Sequence, residues 1–237
     1  GMHGVAFGAD LSSARLFNDS LLIIDDRCYF LNDCTQFGTG AGSTAFSYMY
    51  EQAIAQGVRA MNHSWGYTYA PRTPEEVALY HEALMGVPDI AATFEAMADA
   101  SRRSGMIQVV AAGNSAPSSS PGDSPHATLP ATLPMIFPDI EQYWVSVVNV
   151  NDGLELSSQS MRCGVTAEWC IAAPGSWVTS TVFGGEEDIT ADWGVDANGN
   201  LRYEYGEFEP GFGYADYSGT SMAAPHVTGA LGLLFER

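Results

Sequence analysis

Apolar and polar positions change rhythm along this chain so that helix-like segments alternate with strand-like ones. From Ser43 onward, Phe46, Met49, Tyr50, Ala53 and Ile54 recur at i, i+3, i+4, i+7 and i+8, the period of one buried helical face. Ser43 stands where an N-cap hydroxyl would serve that helix, and Gly57 stops it. Val58 to Asn62 then reads as a strand. Thr73-Pro74-Glu75-Glu76 combines a capping-box start with proline at the first helical position, where a missing N–H does no harm. It predicts a helix ending near Gly86. Another follows Pro88, with Ile90, Phe94, Met97 and Ala98 on one face, Arg102 and Arg103 in its last turn, and Gly105 as its end. Met106 to Ala112 is a short, mostly apolar strand of the kind found inside a parallel sheet covered on both faces.

Ser115 to Pro138 is rich in Pro and Ser and reads as a long surface loop. Strand signals return at Tyr143 to Val150, Ile171 to Ala173 and Trp177 to Val182. The segment 184–213 is acidic and glycine-rich. Within it, Asp196-Ala197-Asn198-Gly199-Asn200 reads as a hairpin turn. A calcium loop is excluded there, because glycine is missing from the sixth position and glutamate from the twelfth. An apolar helix runs from Ser221 toward Leu234. No repeat and no linker interrupts the pattern. The alternation predicts one α/β domain over residues 1–237, a sheet flanked by helices.

The 237 residues are 46% hydrophobic, ample for a buried core. No stretch approaches the roughly 18 apolar residues of a membrane helix, and the first residues carry no basic, then apolar, leader. Nine basic residues oppose 28 acidic ones, a formal charge of -19. Such a surface repels phosphate backbones and anionic lipid, so nucleic acid and membrane are excluded as partners. The acidic excess serves solubility. Four cysteines allow three connectivities. Pairing Cys28 with Cys34 and Cys163 with Cys170 needs the least chain closure and suits an exported protein. Reduced, buried cysteines are the alternative. Zinc favours closer cysteine spacing and nearby histidines.

The candidate chemistry lies in Ser218-Gly219-Thr220-Ser221-Met222-Ala223-Ala224-Pro225-His226-Val227-Thr228-Gly229. Small residues surround a serine placed where a loop becomes a helix. Unpaired N–H groups and the positive end of the helix dipole gather there and can stabilise a developing oxyanion. A bare serine at such a point is an N-cap far more often than a nucleophile. The full string, however, closely resembles the nucleophile motif of the subtilisin-like (S8) serine peptidases. Other strings follow in that family's order. Val109-Val110-Ala111-Ala112-Gly113-Asn114 resembles the strand ending in the oxyanion-hole asparagine. Asn62-His63-Ser64-Trp65-Gly66 resembles the segment that pairs with substrate and borders the S1 pocket. His3-Gly4-Val5-Ala6-Phe7-Gly8-Ala9 resembles a strand entry, with Phe7 where proline is commoner. Cys170-Ile171-Ala172-Ala173-Pro174-Gly175 resembles a turn after a core strand, and its cysteine is similar to the branch found in bacterial autotransporter passengers.

The resemblance implies a three-layer α/β fold with a mostly parallel central sheet, in which 184–213 is an acidic insertion. It implies an extracellular or cell-surface serine endopeptidase acting on polypeptides. Ser221 would be the nucleophile and Asn114 the oxyanion donor. Ser64, Trp65 and Gly66, with Ala111, Ala112 and Gly113, would hold the peptide as an added strand. No cofactor is implied for the chemistry. Structural calcium is common in the family, but no ligand set is identifiable here. A G-x-S-x-G elbow is excluded by Ala223, and no H-E-x-x-H cluster supports a metallohydrolase. The residues after Ser221 also depart from the sedolisin pattern.

One departure is large. The family orders its triad as Asp, His, Ser, yet neither an Asp-Ser/Thr-Gly turn nor His-Gly-Thr-His-Val-Ala-Gly occurs. His3 belongs to the strand entry and His226 to the nucleophile helix. His63 and His81 read as structural or exposed, and His126 as solvated. The expectation is a truncated domain, beginning after the histidine helix and stopping within the Ser221 helix, whose partner is the missing N-terminal part. Alone it should be inactive and poorly stable. The rival expectation is a pseudopeptidase that keeps the groove as a peptide-binding scaffold.

Overall fold

The computed structural model describes Asp10 and residues 43–67, 69, 71–114, 125–183, 192–195, 201–204 and 212–236. The expectations for the strand entry at 3–9, His3, the Cys28–Cys34 pair and the turn at 196–200 lie outside these residues.

Helix α1 (Ser43–Ala55) leads to strand β1 (Ala60–His63), then to α2 (Pro74–Met85), α3 (Pro88–Ser104) and β2 (Ile107–Ala111). Strands β3 (Trp144–Val150) and β4 (Cys170–Pro174) complete a four-stranded sheet in the order β1-β2-β3-β4, with every neighbouring pair parallel. Side chains of β2 alternate between its faces. Val110, with Ala112 just beyond the strand, joins Val148, Phe46 and Tyr50 of α1, and Phe94, Met97 and Ala98 of α3 in one cluster. Val109 and Ala111 join Val147, Ala173 and two alanines of the last helix, α4 (Thr220–Phe235), in another. Helix, sheet and helix therefore form three layers, as the alternation of elements predicts. Phe94 and Met97 are wholly buried, each worth about 1.5–3 kcal/mol over exposure.

The end signals of α2 and α3 operate as read, whereas Ser43, expected as the N-cap of α1, is its first residue and its Oγ donates to Asp89 Oδ1 at 2.6 Å. Thr73 Oγ1 accepts the Glu76 N–H at 3.2 Å, while Glu76 turns back to the Arg72 N–H at 2.7 Å. Gly105 closes α3 at φ 71°, its N–H bonded to Ser101 O. Arg102 and Arg103 do more than complement the helix end. Arg102 forms a two-point pair with Asp139 and Arg103 reaches Glu51 and Asp99, so α3 is tied to α1 and to the chain after it. These pairs are exposed and contribute little stability.

The expected surface loop differs from the structure. Residues 127–134 are buried, with Ala127, Leu129, Ala131 and Leu133 inaccessible, and two 3₁₀ segments, Leu133–Met135 and Pro138–Tyr143, lie at and beyond their end. Proline and serine content suggested exposure. The intervening Thr128, Pro130, Thr132 and Pro134 are buried as well, with the two threonine hydroxyls hydrogen-bonded to Tyr67 O and His81. The Leu129–Pro130 peptide is cis. Trp177 also leaves the strand predicted for it. Its φ is 56°, outside the extended region, so β5 begins one residue later (Val178–Phe183).

Strands β6 (Asp192–Val195) and β7 (Leu201–Glu204) pair antiparallel on either side of 196–200. The acidic segment leaves from β5 and returns through β8 (Phe212–Tyr217), which pair antiparallel with each other.

Cys163 and Cys170 form a disulfide across a 3₁₀ turn, Gly164–Trp169, anchoring that turn to the start of β4. Replacing both cysteines with serine is expected to lower unfolding free energy by about 2–3 kcal/mol, the entropy of closing so short a loop. Denaturant melts of the variant beside the oxidised protein measure it, and overlapping curves would refute it.

Candidate active site

The site forms where the C-terminal ends of β1 and β2 meet the N-terminus of α4. Gly219 precedes α4 with φ 156°, and its N–H donates to Gly175 O at 2.8 Å. A Cβ on Gly175 would stand 2.6 Å from Gly219 O and 2.9 Å from Ala223 Cβ. Glycine at 175 is therefore what lets the turn after β4 pass directly beneath the helix start.

Ser221 is the second residue of α4 and half-buried. No partner for its backbone N–H is found among the described residues, as expected in a first helical turn. Four residues on, Pro225 sits inside the helix and has no N–H to offer the Ser221 carbonyl. Ser64 fills that gap: its Oγ donates to Ser221 O at 2.7 Å. In return, Ser221 Oγ donates to Ser64 O at 3.2 Å. Asn62 Nδ2 donates to Ser64 Oγ at 2.9 Å, and Thr228 Oγ1 bonds Asn62 Oδ1 at 3.4 Å. The predicted nucleophile and the predicted substrate segment are thus directly bonded.

Asn114 follows the end of β2, with an exposed side chain. Its Oδ1 faces the Thr220 N–H at 3.0 Å and Thr220 Oγ1 at 3.2 Å. A backbone N–H can only donate, so the atom facing it must be the amide oxygen. The Asn114 NH₂ is consequently left as a donor beside the Ser221 helix start. Thr220 Oγ1 also accepts the Gly113 N–H at 3.2 Å. Gly113 has φ 112°, and a Cβ there would stand 2.6 Å from Met161 Sδ. Both the backbone and the packing require glycine at that position.

Ala111 ends β2 and Ala112 follows it. Both are buried. The Ala112 N–H donates to Val147 O, and its carbonyl accepts from Thr128 N. Both backbone groups of Ala112 are therefore taken. Gly66 is exposed and Trp65 half-buried. Thr128 bridges the two predicted strings, with Oγ1 donating to Tyr67 O at 3.3 Å, and Leu129 O accepts the Tyr67 N–H. Sequence reasoning missed both the 128–129 wall and the role of Thr220. The former was hidden in the presumed loop. The latter lay inside the motif but was read only as a neighbour of Ser221.

The described histidines are all engaged away from Ser221. His226 Nδ1 lies 2.9 Å from Met222 O. His126, expected to be solvated, is half-buried, and its Nδ1 accepts the Val165 N–H at 3.1 Å. His81 is buried against Thr132 Oγ1 at 2.7 Å, and His63 lies within the core. Burial pushes both of these down to about 4 from the usual histidine value, opposed in His63 by its bond to Gln108. A neutral buried imidazole stabilises the fold above pH 6.5, and that stability drains away as pH falls toward 4. For His63 the loss is expected to reach about 3 kcal/mol near pH 4. Urea melts from pH 7 to pH 4 measure it. A His63→Asn variant should have a shallower slope, and an equal slope would refute the assignment.

No group of three or more His, Cys, Asp or Glu side chains among the described residues could hold a metal ion. No helix among them is long and apolar enough to cross a membrane.

The sequence model of the subtilase family, peptidase S8, matches residues 1–237. The chain belongs to the subtilase family. Among curated subtilase relatives, an extracellular serine protease of Serratia marcescens is 44% identical over 101 residues, 43% of this chain and 9% of that protein. Serotype-specific antigen 1 of Mannheimia haemolytica is 32% identical over the same shares. Fervidolysin of Fervidobacterium pennivorans is 27% identical over 100% of this chain and 26% of its own length. Its crystal structure covers 83% of this chain and 23% of that one, with a TM-score of 0.47. This subtilase chain thus spans about a quarter or less of the length of these relatives.

Proposed function

We propose that this chain carries the nucleophile and the oxyanion donors of a serine endopeptidase domain that hydrolyses polypeptides. One observation carries the reading. Ser221 sits in the first turn of α4 with its backbone N–H unpaired among the described residues, beside an Asn114 amide whose NH₂ group Thr220 leaves free. Ser221 Oγ attacks the scissile carbonyl carbon. Its proton passes to a histidine that is none of the five in this sequence, oriented by an aspartate, and that histidine then protonates the leaving amine. The carbonyl oxygen, now negative, receives hydrogen bonds from Asn114 Nδ2 and the Ser221 N–H. Ser64, Trp65 and Gly66 line the bound peptide on one side and Gly113 on the other. Ala111 and Ala112 close the floor. The missing base and aspartate belong to a preceding part of the same domain, and the chemistry requires no metal. We place the domain outside the cell or on a bacterial surface, as an autotransporter passenger would be. The names of the Serratia and Mannheimia relatives support that location.

A second reading is a pseudopeptidase scaffold. It is favoured by the engagement of every described histidine away from Ser221. Fluorophosphonate labelling of the full-length protein separates the two. Labelling lost in Ser221→Ala is expected. A folded protein that takes no label would sink the enzyme and leave a binding module.

A further inference from the structure

His63 closes β1 at 2% exposure, and its ring makes more specific contacts than packing requires. The Trp65 indole N–H lies 3.2 Å from His63 Nδ1. An indole N–H is only ever a donor, so Nδ1 carries no proton, and the neutral ring must hold it on Nε2. Nε2 lies 2.7 Å from Gln108, whose facing atom must then be the acceptor Oε1. The other end of that amide, Nε2, donates to Ser101 Oγ at 3.1 Å. Tyr50 OH completes the group, 3.4 Å from Gln108 Oε1 and 3.2 Å from His63 Nε2. Each link therefore has one allowed direction. The chain of bonds runs from Trp65, between Ser64 and Gly66, through β1 and β2 into α3. Trp65 also meets the rings of Phe46 and His63 edge to face at 5.9 and 5.8 Å.

Trp65 is only half-buried, so part of its indole remains as apolar surface within the segment bonded to Ser221. We propose that His63 is a positioning residue for the substrate site: its Nδ1 holds the Trp65 indole N–H, fixing the ring's free surface as a wall for an apolar side chain of the bound peptide. The inference rests on the peptidase reading for its substrate, while the His63–Trp65 contact stands apart from it. Tyr50 from α1 is the titratable group bonded to the ring, and burial raises its own pKa, so it stays neutral. With His63 pushed down to about 4, the lone pair on Nδ1 persists across neutral pH. A histidine needed only to fill space would not require this tautomer.

The test uses the full-length protein with ¹⁵N confined to histidine and tryptophan rings, and Trp65→Phe to identify the Trp65 signal. The Nε2–H tautomer is expected for His63 at pH 7, and an Nδ1–H tautomer would overturn the proposal without any variant. Two substitutions then divide the ring's roles. His63→Asn keeps an amide oxygen where Nδ1 stood, whereas His63→Gln reaches the Nε2 position and abandons Nδ1. Indole N–H exchange at Trp65 is expected to rise by about tenfold or more in His63→Gln and to stay within about threefold in His63→Asn. Trp144 and Trp169, whose indoles donate to Pro130 O and Ala131 O, should be unchanged in both. For peptides with a large apolar side chain, KM should rise about fivefold in His63→Gln with kcat held, and peptides of small side chains should be unaffected. Indistinguishable Asn and Gln variants, or an unmoved KM in His63→Gln, would overturn the positioning role. A protein inactive on every peptide would count against the peptidase reading and leave the exchange result to decide the contact.

Discussion

Ser221→Ala in the full-length protein is expected to lower kcat for peptide hydrolysis by about a million-fold, with KM nearly unchanged. That magnitude is a measurement on subtilisin, a member of this family, and is carried over rather than derived. Its physical basis is visible here. Among the described residues, Ser221 is the one hydroxyl in the first turn of α4 that is not tied to the Asn114 amide, since Thr220 Oγ1 is bonded to Asn114 and Gly113. Removing the oxygen should leave the fold almost intact. The Ser64 bond to the Ser221 carbonyl uses backbone and survives the change, while the bond to Ser64 O is lost. Burst kinetics with an active-site titrant check the outcome. A variant retaining more than about a thousandth of the activity would move the nucleophile elsewhere.

The second large effect belongs to Asn114. Asn114→Ala is expected to lower kcat by about a hundredfold to a thousandfold, again the scale found for the oxyanion asparagine in subtilisin. The structure adds a finer expectation. Because Oδ1 is bonded to Thr220 and Nδ2 is the proposed oxyanion donor, Asn114→Asp keeps the structural half of the amide and loses the proposed catalytic half. It also places a negative charge beside a developing one, so Asn114→Asp should be slower than Asn114→Ala while melting at a higher temperature. If the aspartate variant matched wild-type activity, the donor would have to be another group. Comparing kcat and Tm across the three proteins settles the point.

Much of this was legible beforehand, and the reasons differ from element to element. α1 and α3 announce themselves through apolar residues at helical spacing, and α2 through Thr73 and Pro74, because these signals act within one or two turns. The Ser221 motif was legible because twelve consecutive residues carry it. The segment around Leu129 was misread, since proline and serine content spoke for a surface while residues 127–134 are continuously buried. That β3 and Thr128 take up both backbone groups of Ala112 was not legible, because Val147 and Thr128 are distant in sequence. His126 was expected in water, yet it meets Val165, 39 positions away.

By itself, then, the sequence determined the alternation of helix and strand, the caps of α2 and α3 and the α/β class. Each of these depends on dihedral preferences and hydrogen bonds spanning a few residues, while the Ser221 motif was read from its resemblance to the family. Only the tertiary structure decided that Pro225 frees a carbonyl for Ser64 to bind, that Thr220 orients the Asn114 amide, and that His63 holds Trp65 in one tautomer. The partners in the first two lie 157 and 106 positions apart. Trp65 and His63 are close in sequence, but their bond takes its direction from Gln108, 45 positions from His63. Hydrogen-bond direction is set by which donor meets which acceptor, and that meeting occurs only after the sheet has formed.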